Sequence, residues 1–130
     1  MKIHETLQQL DSLLRSSQLE EAESFLKTQT EQAAASGDWE TEAVLRNEQM
    51  GFYRDCGNFP ESLHAAQRAR FLYESHHQTN SVSYATTLLN CANAYRASGS
   101  YDAAFAAFAA VQSLYQKHPV SYTHLRAHET

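Results

Sequence analysis

A seven-residue segment of this chain returns in recognisable form 42 positions later. Tyr53-Arg54-Asp55-Cys56-Gly57-Asn58-Phe59 comes back as Tyr95-Arg96-Ala97-Ser98-Gly99-Ser100-Tyr101. The register persists downstream, where Leu63 aligns with Phe105, Ala69 with Val111 and Tyr73 with Tyr115. A chain built from such units must bury its apolar surface between neighbouring copies, because one unit is too small to bury its own. A weaker copy lies upstream, with Leu19, Ala22 and Leu26 placed 40 residues before Phe59, Ser62 and Ala66. That first unit has Leu13 and Ser17 in place of the tyrosine and glycine, as suits a terminal repeat with one face toward water.

Each unit reads as two helices. Tyr84, Leu88, Cys91, Ala92 and Tyr95 follow a helical period, as do Ala104, Phe108, Val111 and Tyr115. Asn80 or Ser81 can cap the first of these, and Gly99 can end it in the left-handed conformation. Gln116, Lys117 and His118 close the second, with cations near the negative end of its dipole. In the second unit Gly37 ends one helix and Asp38 caps the next. Trp39, Ala43, Met50 and Tyr53 share a face there, and Gly57 terminates the run. Pro60 falls in the first turn of a helix carrying Leu63, Ala66, Ala69, Leu72 and Tyr73. The first unit supplies Leu7, Leu10 and Leu14, then Ala22, Phe25, Leu26 and Gln29. The pattern predicts an all-α solenoid of about three helical hairpins, with helices near 3–16, 19–36, 39–56, 60–76, 81–98 and 101–118. The repeat domain spans 1–118, in units of about 3–36, 39–76 and 81–118. Ala92 and Ala104 are expected to let helices approach, with Tyr95, Tyr101 and Phe108 filling the gaps.

Composition narrows the function. Fifteen acids against ten bases give a net charge of −5, with no basic stripe of the kind nucleic-acid binders carry. No apolar run is long enough to cross a bilayer, and the N-terminus lacks the apolar stretch of a secretory signal. The expected location is the cytoplasm, without nucleic-acid or membrane partners. Cys56 and Cys91 are too few and too far apart for a disulfide framework or zinc site, and both are expected to be small buried packing groups. His76 and His77 are adjacent, which makes a poor metal pair on a helix. There is no phosphate-binding glycine loop, zinc-protease motif or nucleophile motif. No cofactor, metal or catalytic residue is expected.

The run from Ala85 to Ala104 resembles a tetratricopeptide repeat, nearest to the 42-residue type of kinesin light chains and many bacterial proteins. Leu88, Ala92, Tyr95, Gly99, Tyr101, Ala104 and Phe108 carry the resemblance, with Tyr53, Gly57 and Phe59 in the second unit. Ser62 and Ala66 depart from the pattern, and the first unit matches loosely. The resemblance implies a right-handed superhelix whose first helices line a concave groove for a peptide or protein segment. It places Thr86, Asn90, Asn93 and Arg96 on the groove face of the third unit, and Asn47, Glu48, Arg54 and Asp55 on that of the second. Asparagine amides can clamp a peptide backbone. Arg54 and Arg96, one repeat apart, could take a carboxylate in bidentate fashion. The plain alternative is a solvated polar face, with Asn90 bonded to a neighbouring helix.

The reading is therefore a protein- or peptide-binding scaffold. A peptide-sensing regulatory domain coupled to an output domain is the alternative, and an enzyme is unsupported. Pro119 breaks the last helix, and residues 120–130 match no part of a repeat. They resemble a translated sequencing adapter, which implies that the chain is the N-terminal part of a longer repeat protein. The last helix, with Ala104, Phe108, Val111 and Tyr115, then has no polar helix over its outer side, so self-association through it is expected.

Overall fold

The computed structural model describes residues 2–117. The non-repeat tail at 119–130 lies outside them, as does His118. Six helices follow one another: α1 (Ile3–Arg15), α2 (Leu19–Ser36), α3 (Trp39–Asp55), α4 (Phe59–Ser75), α5 (Val82–Ala97) and α6 (Tyr101–Lys117). There is no strand among the described residues. Each end lies within a residue of the position read from the period, apart from the end of α6, which meets the limit of description.

The helix ends share one mechanism. Five times an N–H bonds back to a carbonyl five residues earlier. The pairs are Gln18 to Leu13 (3.0 Å), Asp38 to Ala33 (3.1 Å), Asn58 to Tyr53 (2.8 Å), Gln78 to Tyr73 (2.9 Å) and Ser100 to Tyr95 (2.8 Å). The preceding N–H bonds three residues back in each case. This pair of bonds satisfies carbonyls that the helix leaves open, and it requires a left-handed residue at the turn. Gly37, Gly57 and Gly99 supply it with φ of 74°, 78° and 86°. Ser17 and His77 take the same conformation at 58° and 56° without being glycine.

The starts differ more. Asp38 accepts from the Thr41 N–H and hydroxyl at 3.2 and 2.7 Å. Asn58 accepts from Glu61, with Pro60 in the first turn. Of the two candidate caps of α5, Ser81 makes the bond, accepting from Tyr84 N–H at 3.1 Å.

The packing of the described residues divides inside α3, giving one compact unit up to Leu45 and another from Arg46 onward. In the first, α1 packs on α2. Thr6, Leu10, Ala22, Leu26, Thr30 and Ala33 are buried there, as are Ala43 and Leu45 of α3. The two threonine hydroxyls bond one turn back, to Lys2 O at the start of α1 and to Leu26 O within α2.

In the second unit α5 packs on both α4 and α6. Met50, Ala65, Ala66, Ala69 and Cys91 form a shared core, with Tyr95 against it. Its small residues bring backbones close: the Ser62 hydroxyl reaches Met50 O at 2.8 Å, and the Cys91 thiol lies 3.8 Å from Ala66 O. The buried Ser62 hydroxyl thus has a partner. Tyr73 and Tyr84 meet with ring centres 5.6 Å apart.

Two expectations are corrected. Cys56 is exposed while Cys91 is buried, because Cys56 lies in the turn after α3, where the chain swings out toward Gly57. Tyr101 does not fill a gap between helices but is 62% exposed. It stands off the stripe of Ala104, Ala107, Val111 and Leu114 that α6 buries.

Candidate functional site

The first helices of the second and third repeats meet through a polar bridge as well as through the apolar contact of Met50 with Cys91. Asn47 on α3 donates through Nδ2 to Thr87 Oγ1 at 3.0 Å, and its Oδ1 accepts from Asn90 Nδ2 at 2.9 Å. The Thr87 hydroxyl in turn donates to Ser83 O one turn back, at 3.0 Å. One carboxamide thus uses both its donor and its acceptor on the neighbouring helix. Such a satisfied network fixes the axial register of two helices, since a shift of one turn would strand all three groups.

Burial sorts the six candidate residues. Asn90 is 1% exposed and Asn93 5%. Asn47, Thr86 and Arg96 are half-buried, and Arg54 is buried. Thr86 bonds to Val82 O of its own helix at 3.2 Å. Arg96 donates from a terminal nitrogen to Asn93 Oδ1 at 3.2 Å. Arg54 is held by Asp55, with Nε 3.5 Å from a carboxylate oxygen, an ion-pair contact in which Nε makes no hydrogen bond. The structure therefore joins Asn47 to Asn90 and Asn93 to Arg96. Arg54 and Arg96 each contact a side chain of their own helix. Glu48, placed on the same face by the repeat register, is buried.

Asn47 and Asn90 are thus candidates whose amides are engaged between helices, and for Asn90 this is the plain alternative that its sequence position left open. Thr87 escaped sequence reading. Its neighbour Leu88 carries the apolar period and draws the eye to the core stripe, while Thr87 looks like surface. Its signal was spacing: Thr87 and Asn90 are one turn apart, on the same face of α5.

The other end of the second unit holds a cleft of about 360 Å³ between α4, α5 and α6. Arg70, Tyr84, Leu88, Ala103, Ala106 and Ala110 are among its walls. Arg70 donates to the Tyr95 hydroxyl at 3.1 Å and lies 3.6 Å from Glu74. The hydrogen bond to Tyr95 raises its pKa, so the guanidinium stays charged. Burial raises the Tyr84 phenol, opposed by the charge on Arg70.

His76 Nδ1 lies 2.8 Å from Leu72 O, so its ring closes the end of α4. No cluster of three metal-ligating side chains occurs among the described residues. No helix among them is long and apolar enough to cross a membrane. Comparison of the chain with protein-family models, with curated proteins and with solved structures gave no match. The class that fold and site define is an all-helical protein with repeat-like hairpins.

Proposed function

We propose that this protein is a cytoplasmic scaffold of the tetratricopeptide kind, which binds a peptide or protein segment along α3 and α5. The observation that carries this reading is the Asn47 bridge to Thr87 and Asn90. It lays the later half of α3 beside α5, so that polar groups of two successive repeats share one surface. Arg96 on α5, bonded to the buried Asn93 at 3.2 Å, presents a guanidinium held in place from within its own helix. It offers a peptide a carboxylate partner. Asn47 and the buried Asn90, Asn93 and Arg54 act as positioning residues, and the half-buried Thr86 and Arg96 as contacts. Cys56 and Cys91, both thiols, fit a reducing compartment.

Panning a random peptide library on the full chain tests the reading. A selected peptide should lose at least about tenfold in affinity on Arg96→Ala, corresponding to roughly 1.4 kcal/mol. Lys27→Ala, an exposed change on α2, should leave it unaltered. A binder indifferent to Arg96→Ala, Asn93→Ala and Thr86→Ala alike would place the binding surface elsewhere.

A further inference from the structure

Arg70 is the one charged side chain among the described residues that line the cleft between α4, α5 and α6. Its guanidinium is held in place. Nη1 donates to the Tyr95 hydroxyl at 3.1 Å, and that bond keeps the group charged. Nη2 lies 3.6 Å from a Glu74 carboxylate oxygen, beyond hydrogen-bond length. Glu74 is exposed and does not line the cleft, so water screens this pair and it neutralises little of the charge. The bond to Tyr95 uses only one N–H of the guanidinium, and donors remain for an anion that enters the cleft.

The rest of the lining is largely apolar. Leu88 contributes from α5, and α6 contributes Ala103, Ala106 and Ala110 along about 10 Å of helix. The repeat register shows why the space is open. At the positions of Glu61, His64, Arg68 and Phe71 in the second unit, the third has Ala103, Ala106, Ala110 and Ser113. On α4 such long side chains cover their own helix face, with the Arg68 guanidinium 5.4 Å from the centre of the Phe71 ring. On α6 the same face is bare. The cation is particular to one unit as well, for Gln112 stands at the position equivalent to Arg70. The volume of about 360 Å³ falls within the range of small-molecule sites, about 300–1,000 Å³, whereas a folded partner would need a wider surface.

We propose that this cleft binds a small carboxylate with an aliphatic body, the carboxylate on Arg70 and the body along the alanines of α6. Charge complementarity chooses the head group, since a carboxylate takes the N–H groups of a guanidinium in charge-assisted bonds. The alanines and Leu88 choose the body, since hydrocarbon laid against them leaves water. Both parts are required, because a partly exposed ion pair contributes little by itself. The site shares no residue with the proposed peptide surface on α3 and α5, so either can fail without the other.

Isothermal titration calorimetry of the full chain with octanoate, below the concentration at which octanoate aggregates, tests the proposal. Octanoate should bind saturably at a single site. Acetate has the charge without the body and octanol the body without the charge, and each should bind at least tenfold more weakly. Arg70→Gln should weaken octanoate binding at least tenfold, while Arg15→Gln, an exposed change on α1, should leave it unaltered. Ser113→Phe, which puts the equivalent residue of α4 into the cleft, should block binding. Phe71 is 55% exposed in a well-formed helix, so α6 should tolerate the change. Circular dichroism checks helix content in each variant. If a variant loses its helices, the comparison of the three ligands on wild type decides. Absence of saturable octanoate binding overturns the proposal, as does acetate or octanol binding as tightly as octanoate. Octanoate binding that survives either Arg70→Gln or Ser113→Phe in a folded variant overturns it too.

Discussion

Ser17 and His77 occupy a backbone conformation that costs an L-residue about 1 kcal/mol and costs glycine almost nothing. Glycine also loses more freedom on folding, which offsets part of the gain. Ser17→Gly and His77→Gly should each stabilise the protein by about 0.5 kcal/mol in urea denaturation. Gly99→Ala should do the reverse and cost about 1 kcal/mol. A Cβ built on Gly99 meets nothing within 4 Å, so the loss would be conformational alone. Cys91 makes a second prediction at this scale. Burial pushes its thiol up to about 12 from an ordinary 9.0. The unfolded chain therefore releases this proton at lower pH than the folded one. The stabilisation is complete below about pH 9 and is lost as pH rises toward 12. Cys91→Ala should flatten that part of the stability profile. In the folded protein a thiol reagent should modify Cys56 readily and reach Cys91 only on unfolding.

At the scale of elements, the contact between α3 and α5 depends on Asn47. Asn90→Ala removes the hydrogen bond to Asn47 Oδ1 inside a buried contact, a loss of about 1–3 kcal/mol. Asn47→Ala should cost a similar amount, since it strips both Thr87 and Asn90. The double variant should cost clearly less than the sum, because the two changes delete one shared network. Additive losses in a double-mutant cycle would mean that the residues act separately. The helices themselves were legible in the chain from its period, from Asp38 and Ser81 as caps and from Gly37, Gly57 and Gly99 as turn residues, whereas α1 and α2 start without a side-chain cap and Ser17 and His77 turn left-handed without being glycine. The Asn47 network was not, because a polar residue at a period-breaking position looks alike on a solvated face and at a helix–helix contact. Only the partner helix distinguishes the two.

Across the whole molecule, protection is uneven. Helix α5 buries Tyr84, Ala85, Thr87, Leu88, Asn90, Cys91, Ala92, Asn93 and Ala94, whereas α1 buries only Thr6 and Leu10. Native-state hydrogen exchange should find the slowest amides in α5 and the fastest helical ones in α1, since local opening costs least where least is buried. Equal protection in the two helices would contradict this. By itself the sequence determined the number, ends and period of the helices, because those depend on residues within a turn or two of each other. It also determined the repeat, and with it which positions are equivalent. Tertiary structure alone decided which member of an equivalent pair is covered. Cys56 and Tyr101 sit in turns or at a helix start whose exposure depends on what packs nearby, and Asn90 became interior because Asn47 of another helix meets it. Burial is a property of pairs of elements, and no single element carries it in its own sequence.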